Sequence, residues 1–386
     1  MTSPAPVNAG ALRAPGPLLS GLTTLRLGGP AGRYVEAASE AELVEAVRSA
    51  DDAGEPLLVL GGGSNVVVPD AGFEGLVVRD GRSGLTVEDA GTCAGASIRV
   101  PAGTPWVDLV DRAVAEGWVG VEALAGIPGS AGATPVQNVG AYGQDVAGVL
   151  STVRVWDRAE SRVRTLALVD LELGYRTSLL KRSLRGPDGA PSPFAPTPRY
   201  VVLDVGFQLR LGTLSAPVAY TELARRLDVA VGARAPLTEV RQAVLELRAG
   251  KGMVLDAADP DTWSAGSFFT NPVVAADVAD RLPEGAPRFA VRSARPERTT
   301  GPSLGAVDET LVKTSAAWLI EHAGFGKGYG LPGPVGLSTK HALALTNRGE
   351  GTTAELLALA RTVRDGVRDT FGIVLEAEPV LVGCAL

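Results

Sequence analysis

Hydrophobic and polar positions alternate along the first part of the chain in a way that predicts a small α/β unit. The segment TLRLGGPAGRYVEA is typical of a strand, a turn and a second strand, and SEAELVEAVRSADDAG is typical of an amphipathic helix. Ser39 is the expected N-cap of that helix, with Glu42 at the capping-box position. The apolar run PLLVL then predicts a buried strand that ends in the glycine turn GGGSN. We assign this unit to residues 17–80, after a Pro/Ala-rich lead-in, residues 1–16, that we expect to be disordered.

The pattern of the next unit, residues 81–213, is dominated by strands. SGLTVEDAGTCAGASIRV is rich in strand formers and turn residues, and VDLVDRAVAEGW predicts an amphipathic helix that ends at Gly117. STVRVWDRAESRVRTLAL predicts a β-hairpin, and RYVVLDVGFQLRLG predicts a strongly apolar strand. Between them, GPDGAPSPFAPTP is typical of a surface loop.

Helical periodicity marks the third unit, residues 214–372. TEVRQAVLELRAG and TTAELLALARTVRDGVRDTFG predict helices, with Gly250 and Gly372 at their ends. The segment IVLEAEPVLVG predicts a strand that closes the chain, within residues 373–386. Glu376 and Glu378 alternate with apolar residues along it, so both should point to one face.

Composition narrows the functional classes. The chain has 386 residues, which is enough for two or three domains, and its net charge of −7 disfavours non-specific binding to nucleic acid. It contains no apolar run of membrane-spanning length and no signal-peptide pattern at its start. Cys93 and Cys384 form no CxxC motif, which favours a reducing cytoplasm, and two histidines make a zinc site improbable. Only five of the 36 basic residues are lysines, namely Lys181, Lys251, Lys313, Lys327 and Lys340.

Two glycine-rich segments carry the first candidate chemistry. Gly61 to Asn65 follows an apolar strand, and its glycines allow backbone N–H groups to surround an anion such as a diphosphate, although a plain tight turn is the alternative. Residues 123–146, ALAGIPGSAGATPVQNVGAYGQDV, are almost uncharged and unusually long for a loop. A backbone wrapped against a flat ligand explains that composition, and a structural Ω-loop is the alternative.

Three shorter motifs add candidate reactive groups. Tyr175 and Arg176 in GYRTSLLK place a ring beside a guanidinium suited to a carboxylate, although an arginine at a strand end is, taken alone, more often a surface charge. Ser267 in SAGSFFTNP lies between a glycine and two phenylalanines, which suggests either a hydroxyl in a dry site or a turn serine. No GxSxG motif and no nearby histidine support a hydrolase triad. The glutamates of LEAEP suit either acid/base chemistry or a solvated edge strand.

In this order, the five motifs resemble the UDP-N-acetylenolpyruvoylglucosamine reductase family from about Leu22 to Gly383. The segments that match for these five motifs are LGGGSN, AGIPGSAGATPVQNVGAYG, YRTS, AGSFFTNP and LEAEP, and a sixth segment, AAWLIEHAGFGKG, matches between the last two. The resemblance implies an α+β protein with a vanillyl-alcohol-oxidase/PCMH-type two-part FAD-binding fold and a C-terminal α+β substrate-binding domain. Residues 17–80 and 81–213 are then the two FAD-binding subdomains, residues 214–372 bind substrate, and the terminal strand carries Glu378.

The same resemblance implies the reaction and its residues. Non-covalent FAD takes a hydride from NADPH and reduces UDP-N-acetylglucosamine enolpyruvate to UDP-N-acetylmuramate, a peptidoglycan precursor. The implied catalytic residues are Arg176, Ser267 and Glu378. The implied FAD-binding residues are Gly61, Gly62, Gly63, Ser64, Asn65, Gly126, Ile127, Pro128, Gly129, Gly132, Ala133, Gln137, Asn138, Gly140, Ala141, Tyr142 and Gly143. The implied substrate-binding residues are Tyr175, Tyr220, Lys251, Asn271 and Lys327, and Tyr220 matches a tyrosine found in one subgroup.

The chain departs from the family pattern at Thr270, where many relatives have lysine, and its segment from residue 279 to 301 is longer than expected. We expect a monomer.

Two other functions remain open from the sequence. An FAD oxidase of the same fold would act on an alcohol or a sugar, and such enzymes often tether the flavin through histidine or cysteine, yet neither glycine segment contains a histidine. A nucleotide-binding regulatory module would need neither Ser267 nor Glu378.

Overall fold

The computed structural model of the protein describes residues 16–91, 94–292 and 305–386. Three sequence-based expectations fall wholly or partly outside these ranges. They concern the lead-in up to residue 15, Cys93, and the part of the long segment from residue 293 to 301. No helix among the described residues has the length and the apolar character needed to cross a bilayer.

A three-stranded parallel sheet, in the order β1–β4–β2, forms the first unit. Its elements are β1 (Ala31–Ala37), α1 (Glu40–Asp52), β2 (Leu57–Leu60), β3 (Val66–Val67) and β4 (Phe73–Asp80). Ser39 caps α1 by accepting a hydrogen bond from the backbone N–H of Glu42, as predicted. The strand predicted before the GGP turn is wrong. The stretch follows a 3-10 turn at Leu19–Gly21, and the positive φ angles of Arg26 (53°) and Gly28 (119°) interrupt an extended backbone.

Six strands form the antiparallel sheet of the second unit, in the order β11–β10–β12–β6–β5, with β7 paired to β12. The elements are β5 (Thr86–Gly91), β6 (Gly95–Pro101), α2 (Trp106–Ala115), β7 (Trp118–Val119), β8 (Gly140–Ala141), β9 (Gln144–Asp145), β10 (Leu150–Asp157), β11 (Arg162–Ala167), α3 (Leu179–Arg182) and β12 (Tyr200–Leu211). The predicted hairpin is the antiparallel pair β10–β11. Trp106 of α2 and Phe207 of β12 are completely buried and pack together at the centre of this unit.

The third unit combines helices with short strands. Its elements are α4 (Thr221–Arg226), α5 (Leu237–Gly250), β13 (Val273–Ala275), α6 (Ala276–Asp280), β14 (Phe289–Arg292), β15 (Val307–Lys313), α7 (Ala316–His322), β16 (Val335–Leu337), β17 (Leu345–Asn347), α8 (Thr353–Phe371) and β18 (Val380–Leu381). Strand β15 lies between β13 and β14. Buried residues of α4 and α5, including Leu223 and Val244, belong to the core of the second unit. The domain boundary at residue 214 therefore stays a prediction.

Gly250 is the last residue of α5, which confirms the predicted end of this helix, and Gly252 (φ 66°) takes the left-handed conformation just after it. The terminal segment is not one continuous strand: it pairs once at Ala377, against Phe269, and again only in β18. Each part pairs with a different unit of the protein, which prevents a single uninterrupted ladder. The end of α8 at Gly372 (φ 70°) is confirmed.

Candidate active site

The C-terminal segment joins the two parts of the molecule that carry the candidate groups. Glu378 donates its backbone N–H to Phe268, and Glu376 accepts from the backbone N–H of Thr270, so the segment lies beside the strand that begins at Ser267. Two residues later, β18 pairs in parallel with β3, and Val380 donates to the carbonyl of Asn65. Backbone pairing therefore holds Glu378 between the Ser267 segment and the first glycine loop.

Glu378 forms an ion pair with Arg176 inside this junction. The Oε1 atom of Glu378 lies 3.0 Å from Nε of Arg176, and the two side chains are 12% and 23% exposed. The angle is too poor for a hydrogen bond, so the buried Nε of Arg176 has no hydrogen-bond partner. The other two nitrogens of Arg176 donate to the carbonyls of Asn138 and Gly140. Arg176 also has a positive φ of 53°, a strained conformation that is enriched at functional sites.

Burial and two cations act in opposite directions on Glu378. Desolvation raises the pKa of its carboxyl group, whereas Arg176 and Lys181 lower it, and the net direction is upward. Lys181 lies against the same glutamate: its Nζ is 3.3 Å from the Glu378 carbonyl oxygen and 3.4 Å from Oε1 of Gln137. Desolvation lowers the pKa of Lys181. A glutamate with a raised pKa can hold a proton and donate a hydrogen bond at neutral pH.

The amide of Gln137 connects this group to the glycine loops. Its Nε2 lies 3.2 Å from Oε1 of Glu378, and its Oε1 accepts from Nδ2 of Asn65 at 2.8 Å. Asn65 Nδ2 also lies 3.4 Å from the Glu378 carbonyl oxygen. Side chains of both glycine segments therefore meet the C-terminal glutamate directly.

The two glycine loops pack against each other so tightly that side chains are excluded. A Cβ on Gly62 would lie 2.6 Å from Cα of Gly129, and one on Gly61 would lie 2.7 Å from Oγ of Ser130. Ser64 closes the contact by donating to the carbonyl of Pro128. The loops line a cavity of about 290 Å³ that also contains Arg176, Lys181, Ser267 and Glu378. A neighbouring cavity of about 450 Å³ shares Gly61, Gly62 and Gly129 with it, so the two form one long cleft.

Arg248 of α5 is a site residue that the sequence reasoning missed. It lines the first cavity, and its Nη2 donates to the carbonyls of Gly126 and Met253 at 3.3 and 2.7 Å. Its buried Nε has no hydrogen-bond partner among the described residues, and burial lowers the pKa of the guanidinium to about 10. A half-buried arginine beside a glycine cradle is suited to an anionic ligand. Its position in the last turn of α5, three residues before Lys251, was the available signal.

Ser267 lies at the inner wall of the same cavity, after Gly266 in a left-handed conformation (φ 75°). It is half-buried, while the following Phe268 and Phe269 are each 1% exposed. No hydrogen bond from the Ser267 hydroxyl to another described residue is formed, so this group is available to a ligand.

Several proposed substrate-binding residues lie together around Tyr142, outside the two cavities just described. Tyr142 and Tyr220 pack edge to face, with ring centroids 5.5 Å apart, and Nζ of Lys251 lies 5.6 Å from the Tyr142 ring. Lys251 also forms a 2.5 Å ion pair with Glu222 of α4. His341 is half-buried, and Lys251 and Lys327 are close enough to affect its pKa. Desolvation, and to a smaller extent these cations, lower that pKa to about 4. Sequence reasoning assigned no role to His341.

The structure therefore brings most, but not all, of the predicted residues to the cleft. Those that line the first cavity are Gly61, Gly62, Gly63, Ser64, Asn65, Ile127, Pro128, Gly129, Ala133, Gln137, Gly140, Arg176, Ser267 and Glu378. Gly126 and Gly132 line the second cavity. Those outside both cavities are Asn138, Ala141, Tyr142, Gly143, Tyr175, Tyr220, Lys251, Asn271 and Lys327. Asn138 is buried and bonds to the carbonyl of Gly174, so it supports the Arg176 turn.

Comparison with known proteins gives matches along nearly the whole chain. Residues 31–166 match the FAD binding domain family, and residues 259–382 match the C-terminal domain family of UDP-N-acetylenolpyruvoylglucosamine reductase. A reductase of that name from Saccharopolyspora erythraea is 53% identical over 381 residues, which covers 98% of each chain. The one from Cutibacterium acnes is 51% identical over 370 residues, covering 95% of this chain and 90% of its own length.

A solved structure shows the same fold at lower sequence identity. The reductase from Thermus caldophilus is 24% identical, with a TM-score of 0.57, and the match covers 95% of this chain and 97% of that one. Together with the FAD binding domain match, this likeness confirms the predicted fold, a PCMH-type FAD-binding part followed by a C-terminal α+β domain.

Proposed function

The chain belongs to the UDP-N-acetylenolpyruvoylglucosamine reductase family, and from this premise we propose roles for the groups in its cleft. The enzyme reduces UDP-N-acetylglucosamine enolpyruvate to UDP-N-acetylmuramate in peptidoglycan precursor synthesis, using FAD and NADPH. One observation carries the assignment of roles: the Arg176–Glu378 ion pair, Ser267 and both glycine loops line a single cavity.

The residues of the cleft fit FAD. The contact between Gly62 and Gly129 leaves backbone, and no side chains, facing the cavity at the place where a diphosphate would sit. Arg248, half-buried and without a carboxylate partner among the described residues, would balance the charge of that diphosphate. When bound there, FAD would supply the hydride chemistry that connects NADPH to the sugar nucleotide.

Arg176 and Glu378 are positioned to stabilise the charge that forms in the second half of the reaction. Addition of hydride to the methylene carbon of the enolpyruvyl group moves the double-bond electron pair to the adjacent carbon and onto its carboxylate. Arg176 offers a fixed positive charge to this enol-like species, and Glu378, with its raised pKa, offers a proton for a hydrogen bond. Such preorganised stabilisation is typically the largest contribution to catalysis.

Ser267 completes the reduction by donating its hydroxyl proton to the carbon next to the carboxylate, and it regains a proton from solvent. The substrate thereby gains one hydride and one proton, which balances the reduction of a carbon–carbon double bond. Serine is a weak acid in water, so this step depends on the half-buried position between Gly266 and the two buried phenylalanines.

The visible spectrum of the purified holoenzyme tests this proposal. NADPH should bleach the flavin without oxygen, and the enolpyruvyl sugar nucleotide should restore the colour with formation of UDP-N-acetylmuramate. An FAD oxidase of the same fold would instead be recoloured by oxygen and would leave the sugar nucleotide unchanged. That result would contradict the proposed function.

We further propose that the enzyme acts as a cytoplasmic monomer. NADPH and nucleotide sugars are cytoplasmic metabolites, and Arg176, Ser267 and Glu378 all come from one chain. Size-exclusion chromatography with light scattering checks the oligomeric state, and activity that depends on protein concentration would contradict it.

A further inference from the structure

Lys313 is one of the five lysines of the chain, and none of the roles described above uses it. It is the last residue of β15, the central strand of the three-stranded sheet in the third unit. Val273 of β13 and Phe289 of β14 are its direct partners across the sheet. Cross-strand partners lie on the same face, so the aliphatic part of Lys313 is flanked by these two side chains.

The ammonium group of Lys313 lies at the boundary with the FAD-binding part. Its Nζ is 4.4 Å from the centroid of the Tyr175 ring and 5.9 Å from that of Phe289. The guanidinium carbon of Arg176 lies 5.6 Å from the same Tyr175 ring. Lys313 and the proposed catalytic arginine, Arg176, therefore lie near the same aromatic ring although they belong to different units.

Arg176 has local partners for its charge, whereas Lys313 has no acidic partner among the described residues. Arg176 forms an ion pair with Glu378 and donates to two carbonyl groups. Lys251 and Lys340 form ion pairs with acidic side chains, but Lys313 forms none with the described residues. Burial and the charge of Arg176 lower the pKa of Lys313, in agreement with a cation that has no acidic neighbour. An entering anion would provide the missing compensation.

We propose that Lys313 binds an oxyanion of the sugar-nucleotide substrate, its enolpyruvyl carboxylate or its diphosphate, and so determines substrate affinity. This inference rests on the proposed function. It also gives a role to the three-stranded sheet of the third unit: strands β13 and β14 hold the stem of Lys313, and β15 carries it to Tyr175. Lys313 is a binding residue here, and the proton and hydride steps do not require it.

The test compares Lys313→Met, which keeps an aliphatic stem, with Lys313→Arg, which keeps the charge. Lys313→Met should lower kcat/KM for the sugar nucleotide by about tenfold to a hundredfold, the range of one charge-assisted hydrogen bond, and mainly through KM. Lys313→Arg should recover most of that loss. Arg281→Met is the matched control, because this exposed cation just after α6 pairs with Asp277 alone among the described residues, and it should behave as wild type.

Two further measurements separate the possible ligands. Calorimetric titration with UDP-N-acetylglucosamine, which has the diphosphate but no carboxylate, should show weaker binding to Lys313→Met if the diphosphate is the partner. Unchanged binding of this compound, with a raised KM for the full substrate, identifies the carboxylate. Both results support the proposal.

The proposal is overturned if Lys313→Met binds and reduces the sugar nucleotide as the wild type does. It is also overturned if Lys313→Met slows flavin reduction by NADPH as much as it slows flavin reoxidation by the substrate. A third contradicting result would be that Lys313→Arg is as impaired as Lys313→Met and that both variants melt at a lower temperature than the wild type. Failure of the proposed function would look different, since the wild-type holoenzyme itself would then not turn over the sugar nucleotide.

Discussion

Replacing Glu378 by glutamine should disable substrate reduction while leaving the first half of the reaction intact. The change keeps the size of the side chain and one hydrogen-bond donor, but it removes the acidic proton. Backbone pairing with Phe268 and Asn65 does not involve the side chain, so the C-terminal segment should still dock. We therefore expect normal FAD content and normal bleaching by NADPH.

The size of the effect follows from the surroundings of Glu378. Loss of a general acid or base typically costs about 10²- to 10⁴-fold in rate, which corresponds to roughly 3–5 kcal/mol of transition-state stabilisation. The cost in stability should be smaller, about 1–3 kcal/mol. Arg176 retains the carbonyls of Asn138 and Gly140, and the amide oxygen of glutamine can accept a hydrogen bond in place of the carboxylate.

Stopped-flow measurement of flavin absorbance in each half-reaction is the assay, and Glu376→Gln is the control. Glu376 is exposed, and only its backbone carbonyl bonds to Thr270, so its replacement should change either rate by less than about threefold.

Because burial raises the pKa of Glu378, its protonated fraction falls as the pH rises through that pKa. Wild-type substrate reduction should decline there, and Glu378→Gln should lack this limb. A crippled Glu376→Gln beside an active Glu378→Gln would refute the reasoning.

Three other outcomes are expected. Ser267→Ala should allow NADPH to bleach the flavin but slow its reoxidation by substrate at least about 100-fold, and equal losses in both stopped-flow phases would indicate a structural role. Gly62→Ala should purify with little FAD, because the new Cβ would meet the backbone of the second glycine loop at 2.6 Å, whereas Gly250→Ala, with open space around it, should retain the flavin. His341, whose pKa is lowered to about 4 by burial, stabilises the fold above its unfolded pKa near 6.5, and this contribution is lost as the pH falls towards 4. Denaturant unfolding should show that His341→Gln reduces the acid-induced loss of unfolding free energy by about 3 kcal/mol relative to wild type, and an unchanged loss would contradict this reasoning.

The elements with a strong local signal could be predicted from the sequence. The cap at Ser39, the hairpin β10–β11 and the stop at Gly372 depend on neighbouring residues, and each is confirmed. The terminal segment could not be predicted in the same way. Its apolar alternation is typical of a strand, but its pairing partners are the residues around Phe269 and Val66, which are distant in sequence and belong to different units.

A similar limit applies to the candidate site. Glycine content and motif order pointed to the loops around Gly62 and Gly129, because close backbone contact needs that residue type. Burial of a cation has no such signature in a single sequence. Arg248 lies in an ordinary amphipathic helix, and Lys313 ends an ordinary strand, so their functional environments appear only when α5 and β15 are packed against the FAD-binding part.

The position of Glu378 makes the integrity of the active site depend on the docking of one short segment. The backbone N–H of Glu378 pairs with Phe268 and that of Val380 pairs with Asn65, so this segment connects the Ser267 strand to the first glycine loop. Its loss would remove Glu378 from Arg176 and would release both neighbouring segments at the same time. A chain truncated after Leu375 should therefore retain less FAD than the full-length chain, and equal retention would show that the cavity forms without this segment.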